Sequence, residues 1–134
     1  MKFNFQEVLV LFQKNQLNEA KNLCIKALKE QPDNFDFLNL LGMIAFKKKE
    51  YKKAEEIISK AIKLKPKNIE IYNLYAFILL NLGKLDLAIK SWDEVIKLKP
   101  DNAETYNNRG NVLFELGKFE DSLESYEKAI KIKP

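Results

Sequence analysis

Residues 67–100 read KNIEIYNLYAFILLNLGKLDLAIKSWDEVIKLKP, and residues 101–134 read DNAETYNNRGNVLFELGKFEDSLESYEKAIKIKP. Laid one above the other, the two stretches share a register. Each has Asn second, a small residue tenth (Ala76, Gly110), Leu-Gly-Lys in the middle and Pro last. Pro32 and Pro66 continue the same beat upstream, so Pro32, Pro66, Pro100 and Pro134 are each 34 residues apart. A fixed period of this length marks a solenoid of stacked units, each too small to bury its own apolar face alone.

Other positions keep step. Ala20, Ala54, Ala88 and Ser122 form one series, and Ala27, Ala61, Val95 and Ala129 another. Leu17, Tyr51, Leu85 and Phe119 form a third. Gly42, Ala76 and Gly110 form a fourth, with Val8 as the outlier in the first unit. Small residues at fixed places let two helices approach closely, and the large ones fill the gaps between them. Within a unit the apolar residues recur at three- and four-residue steps, as in Tyr72, Tyr75, Ala76, Leu79 and again in Leu85, Ala88, Ile89, Trp92, Val95, Ile96. That is the pattern of two amphipathic helices. Gly83 stops the first of them by offering a left-handed cap, Pro100 ends the second, and Asp101-Asn102 caps the next. First helices are expected near 3–14, 36–48, 70–82 and 104–116, and second helices near 18–30, 52–64, 86–98 and 120–132.

These residues resemble the tetratricopeptide repeat family, whose unit is 34 residues of helix–turn–helix. The fourth unit carries the likeness best, in Ala103-Glu-Thr-Tyr-Asn-Asn-Arg-Gly110, Leu116-Gly-Lys-Phe119, Ser122, Tyr126, Ala129 and Pro134. The resemblance covers the whole chain. It implies an all-α solenoid of four units (1–34, 35–68, 69–102 and 103–134) wound as a right-handed superhelix in a single domain. The first unit departs most, with Val8 in the small slot and Cys24 in the aromatic slot. Arg109 stands where the family usually keeps an apolar residue.

The chemistry of catalysis is missing. The chain has no His, which removes the usual neutral-pH acid–base group and metal ligand. Cys24 is the only cysteine, so no internal disulfide forms, and it falls on an apolar stripe where it reads as a buried small hydrophobe. No Gly-rich phosphate loop occurs, and the carboxylates lie at helix ends and on solvent faces. No cofactor, metal or enzymatic activity is expected of these residues. The net charge of +4 comes almost entirely from Lys, Arg109 being the only Arg. Lys gathers before each Pro and acids gather after it, which complements helix dipoles rather than forming a nucleic-acid face. Apolar stretches fall short of the ~20 residues a membrane span needs, so no membrane insertion is expected. Glu7 interrupts any signal-peptide core, and the expectation is a cytoplasmic protein.

The remaining class is protein–protein interaction. In the family, first helices line a concave groove through the second, fifth, ninth, twelfth and thirteenth places of each unit. By that resemblance the peptide-binding positions are Asn39, Asn73, Asn107 and Asn111 with Phe12, Met43, Phe46, Phe77, Leu80 and Phe114. The second places are Lys2, Asp36, Glu70 and Glu104. Asn offers both a donor and an acceptor to an extended backbone. The apolar strip beside the Asn ladder suits an apolar or amphipathic segment. The family's carboxylate clamp for acidic chaperone tails is not matched. Its places fall on Phe5, Leu9, Leu40, Glu70 and Leu74, or one unit on, on Asn39, Met43, Leu74, Glu104 and Asn108, and neither set holds a cation. Solenoids also tend to close with a polar cap. The last helix instead carries Leu123, Tyr126, Ala129 and Ile130. The chain is then either part of a longer protein or covered by another copy, with Leu123, Tyr126 and Ile130 as self-association residues. The alternatives to a peptide-binding scaffold are thus a self-assembling structural scaffold and, more weakly, the targeting domain of a larger enzyme.

Overall fold

A computed structural model describes residues 3–134, which leaves Lys2 outside the described residues. They form eight α-helices, with no strand among the described residues. The helices are α1 (Phe5–Gln13), α2 (Leu17–Glu30), α3 (Phe35–Lys47), α4 (Tyr51–Leu64), α5 (Ile69–Asn81), α6 (Leu85–Leu98), α7 (Ala103–Glu115) and α8 (Phe119–Ile132). The all-α class is the expected one, and each helix begins and ends within two residues of its expected bounds. The chain divides into two compact units, Met1–Ile71 and Tyr72–Pro134.

The local causes of the helices repeat with the sequence. Asn34, Asn68 and Asn102 recur every 34 residues, and each side chain accepts a hydrogen bond from the backbone N–H three residues on (Phe37, Ile71, Thr105). Such a cap contributes about 1 kcal/mol. Asn4 accepts from the backbone N–H of Gln6, two residues on, and so caps α1 at Phe5 rather than at residue 3. First helices end in one shared motif. Gly83 donates to the Leu80 carbonyl and Lys84 to the Leu79 carbonyl, and Gly117 and Lys118 repeat the pair on Phe114 and Leu113. This closure needs a left-handed residue, and Gly83 and Gly117 have φ of 75° and 78°. Asn15 and Lys49 hold the same slot in the earlier units, both at φ 63°. The turn therefore comes from the repeat register, even where a side chain resists it.

In the first unit a core of Val8, Ala20, Cys24, Ala27, Phe37, Leu40 and Ile44 joins α1, α2 and α3. Burying the larger of these, Val8, Phe37, Leu40 and Ile44, stabilises by about 1.5–3 kcal/mol each. Phe5 packs edge-on against Phe37 at 5.5 Å between ring centroids. Burial pushes the Cys24 thiol up to about 12, as befits an inert core residue. Gly42 lets α3 and α4 close, since a methyl group there would lie 2.1 Å from Ile58 Cδ1.

In the second unit Ala76, Ile78, Leu79, Ala88, Trp92, Val95, Val112 and Leu113 are buried. Arg109 fills its family-atypical place with polar partners. Its Nε donates to Asp93 Oδ1 of α6 at 2.8 Å, and a guanidinium NH donates to Ser125 Oγ of α8 at 2.7 Å. Ser122 donates to the Gly110 carbonyl at 2.8 Å, tying α8 to α7. Among the described residues no buried side-chain polar atom lacks a partner.

Candidate functional site

The ten positions expected to line a groove divide between the two compact units. Phe12, Asn39, Met43 and Phe46 belong to the first, and Asn73, Phe77, Leu80, Asn107, Asn111 and Phe114 to the second. None is buried. They are held by the first helices, whose other face is committed to the core. A three-to-four-residue step therefore leaves the fifth, ninth and twelfth places on the outside.

In the first unit the Phe46 ring meets Tyr51 edge-on at 5.7 Å, and the Lys47 ammonium sits 5.1 Å from the Phe12 ring centroid. The twelfth-place residue thus packs against the residue that opens the following helix, while one side stays accessible. Phe5, the fifth-place residue of the first unit, belongs to the core contact with Phe37. The Asn series therefore has no member there.

In the second unit the geometry is more specific. Trp92 Nε1 donates to Asn73 Oδ1 at 3.0 Å, and Phe77 stacks edge-on against the same indole at 5.7 Å. Tyr126 donates its hydroxyl proton to Asn111 Oδ1. An indole N–H can only donate, so the Asn73 amide is oriented and its oxygen is engaged. Each oxygen keeps one lone pair, and both amide N–H groups of Asn73 and Asn111 remain for a ligand. Of the expected ladder of Asn39, Asn73 and Asn107, Asn73 is thus already partnered through its oxygen, and the ninth-place Asn111 is partnered likewise. Phe114 and Phe119 are both 60% exposed and pair edge-on at 5.2 Å. The sequence marked Phe119 only as the last of a packing series whose other members, Leu17, Tyr51 and Leu85, are half-buried.

Asn107, Tyr126 and Ile130 come together with Ala103, Glu104, Ala129 and Lys133 in an open cleft of about 510 Å³. Leu123 is 58% and Ile130 63% exposed, while Tyr126 is half-buried. A smaller cleft of about 230 Å³ lies in the first unit, lined by Ile25, Leu41, Ala45 and Ile57 beneath Lys21 and Glu50. It draws on second-helix residues that no groove pattern singled out. Burial there works to raise the Glu50 carboxyl, but Lys21, Lys53 and Lys48 together hold it below the usual range. Among the described residues no cluster of His, Cys, Asp and Glu could hold a metal, and no helix is long and apolar enough to cross a membrane.

A family model described as a TPR repeat matches residues 78–117, and two described as tetratricopeptide repeat match 103–134 and 11–78. No match was found among curated proteins. Solved structures do match. A crystal structure of MamA is 27% identical over 92% of this chain and 72% of that one, with a TM-score of 0.87. Another crystal structure of MamA protein is 26% identical over 95% and 69%, with a TM-score of 0.88. MamA from Desulfovibrio magneticus RS-1, residues 41 to the end, is 19% identical over 96% and 73%, with a TM-score of 0.90. At that last identity the likeness speaks for the fold.

Proposed function

We propose that this chain, which belongs to the tetratricopeptide repeat family, is a protein-interaction scaffold that holds an apolar or amphipathic segment of a partner on its first helices. Repeats of this kind present extended binding surfaces, and protein interaction follows from membership in general terms. The finer reading rests on one observation. Asn73 and Asn111 have their side-chain oxygens engaged by Trp92 and Tyr126, and the half-exposed Phe77 and exposed Phe114 lie on the same helices. Amide N–H groups suit the carbonyls of an extended peptide. The rings suit its apolar side chains, each worth about 1.5–3 kcal/mol if fully covered. After the cost of association, a few such contacts fit micromolar binding.

Peptides selected from an unbiased library test this. Phe77→Glu and Phe114→Glu should each abolish capture of a selected peptide. Lys63→Glu, on the exposed last turn of α4, should leave it unchanged. Equal loss from all three would count against the first-helix faces.

A further inference from the structure

The smaller cleft, in the first unit, owes its room to one short side chain. Leu11, Ala45, Leu79 and Leu113 share one position of the repeat. Leu79 and Leu113 are buried, so in the second unit an isobutyl group takes up the space beside the first helix. Ala45 puts only a methyl group there, and it lines the open cleft of about 230 Å³.

Three more places decide the character of the lining. Two repeats on, the counterparts of Ile25, Leu41 and Ile57 are Asp93, Arg109 and Ser125. There Arg109 donates to Asp93 at 2.8 Å and to Ser125 at 2.7 Å, so its guanidinium spans from α6 to α8. In the first unit all three places are apolar and can form no such bridge. With Ile44 and Ala45 they line the cleft instead. The walls come from α2, α3 and α4, all present within the unit. The opening therefore reflects the side chains chosen and not a missing neighbour.

Size and charge define what fits. The cleft is larger than the ~150 Å³ that holds a benzene ring. It is smaller than the ~300 Å³ at which pockets for drug-sized ligands begin. One bulky side chain matches it, and aromatic anchors seated in such pockets dominate protein interfaces. On the rim, Glu50 lies 3.8 Å from Lys21 and 3.4 Å from Lys53, which engages both cations. Glu56 is exposed and forms no ion pair among the described residues, since Lys60, one turn on, lies 3.8 Å from Asp33 instead. The rim thus offers one unpaired carboxylate and no unpaired ammonium, which complements a cation.

We infer that this cleft anchors a single aromatic side chain, Trp above all, of a partner protein in which a Lys or Arg stands next to the ring. The ring packs between Ile25 and Ile57 over Ala45, and the cation meets Glu56. None of the ten first-helix positions lines the cleft, so the inference stands apart from the groove reading.

The test titrates the full chain with the capped tripeptide acetyl-Lys-Trp-Lys-amide and follows the methyl NMR signals of Ile25 and Ile57. Both should shift saturably at millimolar peptide. Acetyl-Lys-Ala-Lys-amide should bind at least tenfold more weakly, and acetyl-Glu-Trp-Glu-amide at least threefold. Ala45→Leu restores the side chain that the other repeats carry, and should abolish the shifts while Tm holds or rises. Should that variant unfold, Ile25→Asp places at an exposed site the residue the second unit already has there, and should abolish the Ile57 shift. Glu56→Lys should turn the preference toward the Glu-flanked peptide, and Phe114→Glu should change nothing. Absence of shifts at millimolar peptide, equal affinity for the three peptides, or binding indifferent to both Ala45→Leu and Ile25→Asp overturns the inference. Free indole binding as tightly as the Trp peptide would assign the cleft to a small apolar molecule. Methyl shifts that grow with the concentration of the chain alone would assign it to another copy. Either result overturns the inference as well.

Discussion

Replacing Gly42 by Ala probes how tightly the repeat sets its helix spacing. The new Cβ would lie 2.1 Å from Ile58 Cδ1 and 2.6 Å from Ile58 Cγ1, far inside van der Waals contact. Ile58 is fully buried, so its side chain has nowhere to swing. Overpacking costs about 1–3 kcal/mol, and a 2.1 Å approach to a fully buried side chain belongs in the upper part of that range, about 2–3 kcal/mol. Removing a helical Gly returns about 1 kcal/mol. The net expectation is a loss of about 1–2 kcal/mol, which at about 4 °C per kcal/mol for a chain of this size lowers Tm by about 4–8 °C. Gly110→Ala is the comparison. There the added Cβ meets the Tyr126 ring at 2.8 Å, but Tyr126 is half-exposed and can yield, so the two terms nearly cancel. Thermal and urea unfolding followed by circular dichroism measure both. Adding Ile58→Val to Gly42→Ala should recover part of the loss, since it removes the clashing Cδ1. A Gly42→Ala variant as stable as the parent, or one not helped by Ile58→Val, would refute the close-approach reasoning.

Other outcomes follow from single residues. Lys49→Gly relieves a side chain held at φ 63° and should raise stability by about 1 kcal/mol in urea unfolding, because Gly occupies the same slot at 83 and 117 without strain. Cys24 should resist a thiol reagent in the native state and react only at the rate of unfolding. With its folded pKa raised by burial from 9.0 to about 12, stability is fully present below pH 9.0 and should decline as pH rises through that window, where the unfolded thiol ionises first. Titration calorimetry with an acidic chaperone-tail peptide should show no micromolar binding, since the clamp places hold no cation.

The helices were legible because three independent signals coincide in the last two units. These are the 3.6-residue stripe, an Asn two residues past the Pro, and a stop after the first helix. Even the units lacking Gly in that stop, at Asn15 and Lys49, keep its left-handed turn, which the residue types alone would not have indicated. The site was legible only as a set of exposed positions. Which Asn atoms are free depends on Trp92 and Tyr126, 19 and 15 residues further along the sequence, and no local pattern reports that pairing. The exposure of Phe119 was hidden for the opposite reason. Its sequence slot is the same as that of Leu17, Tyr51 and Leu85, and only the burial of each copy separates them. Arg109 stood out in the sequence as a departure from the family's apolar place, and it forms an ion pair because α6 offers Asp93 at the matching place.

The single tryptophan lies behind Asn73 and Phe77, which makes it a built-in reporter for the first-helix face. The measurement to make is a titration of Trp92 emission with a peptide selected on the intact chain, repeated in Asn73→Ala. A saturable change in emission, with affinity lost at least tenfold in Asn73→Ala while Trp92 stays buried, is expected if the peptide lies against that face. Tight binding that leaves Trp92 emission unmoved and is indifferent to Asn73→Ala would contradict it.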